Sequence, residues 1–192
     1  MDTVGIGAGG KSWAAEPGLD VRALYEHYVV PTYARLGVVF THGAGSYLFD
    51  ERGNRYLDMG GGIAVNTLGH AHPAMVEALA RQARQLIHCS NYYYTVPQGL
   101  LARELVRLTG PGKVFFCNSG AEANEGLFKL ARRYGHPEGR FEILTAVQSF
   151  HGRTLAGISA TGQDKVKRGF DPLVPGFRHV PYGDLSALEQ AL

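Results

Sequence analysis

Cysteine is scarce, with Cys89 and Cys117 the only two among 192 residues. Both lie in or beside apolar sequence, so buried thiols are expected rather than a disulfide framework, which fits a reducing compartment. Excess charge is lacking as well. Nineteen basic and seventeen acidic residues leave a formal net charge of +2, which indicates neither a nucleic-acid surface nor a polybasic membrane patch. No continuous apolar run approaches the ~20 residues of a membrane span, and no signal-peptide pattern opens the chain. A cytoplasmic protein with no nucleic-acid or membrane partner is expected. What is there, 45% hydrophobic and 19% charged residues, suits a soluble globular domain with a sizeable core.

Residues 1–18 carry Gly5, Gly7, Gly9 and Gly10 with little periodicity and read as a mobile arm. Their glycine string lacks the preceding strand and following helix of a dinucleotide loop, so that reading is rejected. Asp20 is a plausible N-cap for a short helix carrying Val21, Leu24, Tyr25 and Tyr28, which Pro31 ends. Val38–Phe40, Tyr47–Phe49 and Tyr56–Asp58 predict a small antiparallel meander with a turn at 50–55. Gly60-Gly61-Gly62 implies unusual dihedrals or a close approach to the backbone. His70 and His72 form a His-X-His pair, yet no third ligand stands at useful spacing, so a structural role is favoured over a metal site. Pro73 opens a predicted amphipathic helix of about four turns through Ile87. Another helix carries Leu100, Leu101, Leu105 and Leu108 and stops at Gly110-Pro111-Gly112.

The chain is organised around residues 114–125. Val114-Phe115-Phe116-Cys117 is an apolar, β-forming run that reads as a buried strand. It breaks at Asn118-Ser119-Gly120, and Ser119 with Glu122 makes a capping box that predicts a helix start. Ala123, Leu127, Leu130, Ala131 and Tyr134 follow at helical spacing on one face. A strand entering a helix through small residues leaves free N–H groups at the positive end of a dipole, a seat for a phosphate or another dianion. Capping boxes also start many helices that bind nothing, so the motif by itself specifies no chemistry. Phe141–Ala146 reads as a second strand, and strand–helix–strand predicts a βαβ unit with a parallel pair. Both candidate turns, at 118–121 and 148–153, then fall at the carboxyl ends of their strands. Thr154–Gly162 is left open between helix and loop, and Asp164–Pro175 reads as an irregular surface segment. A strand over Arg178–Tyr182 precedes a last helix capped by Asp184 or Ser186.

Asn118-Ser119-Gly120-Ala121-Glu122-Ala123-Asn124-Glu125 with Phe150-His151-Gly152-Arg153-Thr154 closely resembles the class III aminotransferases. Gly61-Gly62-Ile63-Ala64-Val65-Asn66 and Gly69-His70-Ala71-His72-Pro73 match the same family, nearest to its acetylornithine branch, from about Pro31 onward. The resemblance implies an α/β chain of the fold type I pyridoxal-phosphate (PLP) class. On that reading 1–18 is an arm, 19–68 part of a small domain with the meander, and 69–192 the first βα units of the large domain. It implies that Ser119, Gly120 and Ala121 bind the cofactor phosphate, that Phe150 stacks on its ring with His151 beside it, and that Arg153 binds the substrate carboxylate. It further implies amino transfer from N-acetylornithine to 2-oxoglutarate by a homodimer, with Asn91–Thr95 near the dimer interface. Ornithine, 4-aminobutyrate, succinyl-diaminopimelate or a carrier-linked lysine are alternative donors. A non-catalytic phosphate-binding or subunit-pairing module is the alternative outside the class. The family's pyridinium-binding acid and Schiff-base lysine lie further along its chain. Lys11, Lys113, Lys129, Lys165 and Lys167 match no such context, so no catalytic residue is assigned, and we expect the amino-terminal part of a longer enzyme.

Overall fold

Residues 18–192 are described in this computed structural model; the predicted arm, except Gly18, and Lys11 lie outside the described residues. Packing divides the chain into two units, Met1–Tyr93 and Tyr94–Leu192.

In the first unit Asp20 caps α1 (Val21–Tyr28), its carboxylate accepting from the Arg22 and Ala23 N–H groups at 3.0 and 3.1 Å. The meander forms as β1 (Phe40–Ala44), β2 (Tyr47–Asp50) and β3 (Arg55–Leu57), antiparallel in the order β1-β2-β3. Two residues join β1 to β2, and Gly45 takes φ +55° there, which an L side chain resists. The glycine run forms α2 (Gly61–Ala64), a single turn in the left-handed region. Gly61 and Gly62 fit it without cost, but Ile63 at φ +64° and Ala64 at φ +61° do not. Asp58 secures its start, accepting from the Gly60 and Gly61 N–H groups at 3.0 and 2.9 Å. The other oxygen of that carboxylate meets His70 Nε2 at 2.7 Å. α3 (Pro73–Ala83) begins at Pro73 and ends a turn before Ile87.

The second unit contains α4 (Val96–Thr109), α5 (Gly120–Gly135), β4 (Ile143–Ala146), α6 (Leu155–Ala160), β5 (Phe177–Val180) and α7 (Leu185–Ala191). Asp184, and not Ser186, caps α7, accepting from Ala187 N at 2.9 Å. β4 and β5 run parallel, Ile143 opposite Phe177 and Ala146 opposite Val180. The parallel pair therefore forms across α6, not across α5 as predicted. Val114–Cys117 belongs to no strand: a ladder needs a neighbour for its N–H and C=O groups, and an apolar run supplies only the face to bury. Its Phe115 ring lies instead against α5, where a Cβ on Gly126 would come within 3.1 Å of it.

Among the described residues the buried apolar side chains are Phe128, Ile158, Ala160 and Val166, all in the second unit. Phe128 of α5 meets Phe177 of β5 edge-on, with centroids 5.0 Å apart. The stripe Ala123, Leu127, Leu130, Ala131 and Tyr134 is exposed. The covered face of α5 runs instead through Ala121, Asn124, Phe128, Arg132 and Gly135, because the turn after β4, together with β5, reaches only that side. The 164–175 segment is less superficial than expected. A short 3₁₀ turn at Asp164–Val166 buries Val166, and Val174 N donates to Ser159 Oγ at 2.9 Å. Lys167 is turned inward too, with Nζ 2.8 Å from His179 Nε2.

Candidate functional site

The start of α5 is built by the capping box. Ser119 Oγ accepts from Glu122 N at 3.2 Å, and the Glu122 carboxylate returns to the Ser119 and Asn118 N–H groups. These bonds hold the Glu122 carboxyl below its ordinary range, the Asn118 N–H contributing most. Four donors at a helix start lack intrahelical partners. The box takes those of Ser119 and Glu122, and Ala123 N makes the first intrahelical bond, to Ser119 O at 3.0 Å. The N–H groups of Gly120 and Ala121 are left to face outward. A Cβ on Gly120 would meet nothing within 4 Å, so a ligand has room to approach the backbone there. Ser119 Oγ uses a lone pair in the box, which leaves its O–H free to donate.

The turn after β4 comes to the same place. Gln148 sits at φ +65° and Gly152 at φ +112°, and these reversals fold residues 148–153 back over α5. A Cβ on Gly152 would lie 2.9 Å from Ala121 Cβ. Asn124 Nδ2 donates to His151 O at 3.0 Å. The two turns picked out in the sequence are therefore in contact at one end of α5, although the strand predicted before the first of them is not formed.

The structure separates the side chains of the second turn by depth. Phe150 is 58% exposed, its ring offered at the surface. Arg153 is exposed as well, its guanidinium carbon 5.6 Å from the Phe150 centroid in a cation–π contact. His151 points inward, edge-on to Phe128 at 6.4 Å, and its Nε2 is buried without a hydrogen-bond partner. Sequence reasoning missed Asn124 and Thr161. Asn124 lies inside the diagnostic string, but nothing there indicated that it reaches the second turn. Thr161, fully buried and accepting from His151 N at 2.9 Å, carried no signal at all. Among the described residues no group of three His, Cys, Asp or Glu side chains gathers as a metal site.

The family model described as aminotransferase class-III matches residues 28–191. The chain is 54% identical over 173 residues to acetylornithine aminotransferase of Gloeobacter violaceus, covering 88% of this chain and 43% of that protein. Among solved structures, ornithine aminotransferase of Toxoplasma gondii superposes with a TM-score of 0.84 at 31% identity, over 88% of this chain and 41% of that one. Taurine:2-oxoglutarate aminotransferase of Bifidobacterium kashiwanohense, solved with PLP and glutamate, gives 0.76 at 31% identity, over 82% and 36%. The chain thus spans about two fifths of the length of the curated relatives it matches. With a family match extending through both units and the motif turns in contact, this chain belongs to the class III aminotransferases.

Proposed function

We propose that this chain supplies the phosphate seat, ring plate and carboxylate clamp of a PLP-dependent enzyme. In the whole enzyme, a homodimer, an amino group passes from N-acetylornithine to 2-oxoglutarate, a step of arginine biosynthesis. The small-domain reading of 19–68 and the large-domain reading of 69–192 belong to the same proposal. The observation that carries it is the contact of Gly152 with Ala121. It brings the turn that carries Phe150 and Arg153 against the start of a sixteen-residue helix.

The residues present fit the cofactor. Gly120 and Ala121 N–H groups and the Ser119 hydroxyl donate to phosphate oxygens, where the dipole of α5 favours negative charge. Phe150 presents a flat apolar face to a pyridine ring, and His151 supports that plate from the core side. Arg153 is a planar two-pronged donor that holds a substrate carboxylate in one orientation. PLP, when bound, supplies the electron sink for the carbon chemistry, while the protein orients and binds.

The test is Arg153→Ala in an enzyme that contains this chain together with a cofactor-carrying lysine. The KM for acetylornithine should rise by roughly tenfold or more, as for a lost charged hydrogen-bonding pair, while cofactor retention on dialysis is unchanged. Equal loss of both would remove Arg153 from the substrate site. Profiling that enzyme against ornithine and 4-aminobutyrate checks the donor assignment, because the guanidinium accepts acidic substrates generally.

A further inference from the structure

The turn that carries Phe150 is anchored along its length. Gln148 N donates to Gly162 O at 2.7 Å, and Gln163 Nε2 donates to Ser149 O at 3.0 Å. Both peptide groups of His151 are then held, the N–H by Thr161 Oγ1 at 2.9 Å and the C=O by Asn124 Nδ2 at 3.0 Å. Thr161 Oγ1 donates its own hydrogen to Gly157 O at 2.8 Å, which leaves a lone pair to accept from His151 N. Asn124 stands one helical turn beyond Ala121 and on the same side of α5.

We propose that Asn124 and Thr161 are positioning residues that clamp His151 from two sides and so fix the Phe150 plate relative to the N–H groups of Gly120 and Ala121. The clamp rests on the reading that Phe150 stacks a cofactor ring. Neither residue is required for the phosphate seat, which the capping box makes from within α5. Loss of the clamp should therefore cost ring affinity and leave phosphate affinity intact, since a stacking contact works only at a set separation and tilt.

Pyridoxamine 5'-phosphate and inorganic phosphate separate these contributions. Neither forms a covalent bond with a lysine, so the 192-residue chain can be titrated directly. The readout is the ratio of the two dissociation constants. Phe150→Ala sets the scale and should lower the preference for pyridoxamine phosphate about three- to tenfold. Asn124→Ala and Thr161→Val should each lower it by a similar factor while phosphate binding changes less than about twofold. Thr161→Ser, which keeps the hydroxyl, should restore the preference. If both ligands weaken in parallel in the Asn124 and Thr161 variants, the residues support the fold only and the clamp is wrong. If Phe150→Ala shifts the ratio and neither clamp variant does, the clamp alone fails. No preference in the wild type, or a ratio indifferent to Phe150→Ala, removes the cofactor reading and the clamp with it.

Discussion

Asp50 shows how much one side chain organises in the first unit. It accepts from Arg52 N at 2.9 Å, Asn54 N at 2.8 Å, Asn54 Nδ2 at 2.9 Å and Tyr56 Oη at 3.0 Å. These donors, the Asn54 amide foremost, lower its pKa to about 2 against the opposing effect of desolvation. A folded-state pKa below the unfolded value of about 3.9 means stability that is complete above pH ~4 and lost as pH falls toward ~2. Acid titration followed by tyrosine fluorescence should show the meander opening in that window, and Asp50→Asn should flatten the transition. The same hydrogen bond raises the Tyr56 phenol, so its contribution persists below the ordinary value of about 10 and disappears as pH rises through the higher folded value. Sequence reading marked residues 50–55 as a turn. It did not single out the carboxylate, because four donors converging on one side chain are a result of folding.

At the scale of elements, the helix starts were the most legible features. Asp20, Ser119 and Asp184 cap α1, α5 and α7 through bonds within three residues of themselves, and such local chemistry is written in the sequence. Strand pairing was less so, since it depends on partners far along the chain. Val114–Cys117 has the composition of a strand and no ladder, while β4 found β5 over thirty residues away. The junction of α5 with the second turn depends on position 152 having no side chain. In Gly152→Ala a Cβ at φ +112° would face Ala121 Cβ at 2.9 Å. Backbone strain and overpacking together should cost about 1–3 kcal/mol and force the turn off the helix. Thermal unfolding should show the midpoint falling by several degrees, and an unchanged midpoint would mean that the contact is not tight. Ser is expected to behave like Ala there, because the clash begins at Cβ.

For the whole molecule, apolar surface left in water is the dominant feature. Leu127, Leu130 and Tyr134 on α5 are 58%, 66% and 78% exposed, and Ile63 on the left-handed turn is 95% exposed. Within the first unit the only buried side chain among the large polar and apolar groups described is Asp50, so ladders and caps hold that unit more than a core does. Exposed apolar side chains such as the α5 stripe mark contact sites or association liabilities. The 192-residue chain by itself should therefore bind a hydrophobic dye strongly and self-associate as its concentration rises in sedimentation. A longer chain with the relatives' full length should do both less. Dye binding equally high in the two would mean that these stripes are not covered in the longer protein.

The sequence by itself determined the starts of α1, α3, α5 and α7, the meander and the two turns that identify the family. Each follows from interactions among residues close along the chain. Only the tertiary structure decided which face of α5 is covered, which strand lies beside β4, and that Asn124 and Thr161 hold the peptide groups next to Phe150. Those outcomes depend on segments distant in sequence reaching the same place, and a hydrogen bond from Asn124 to His151 exists only after α5 and the turn after β4 have met.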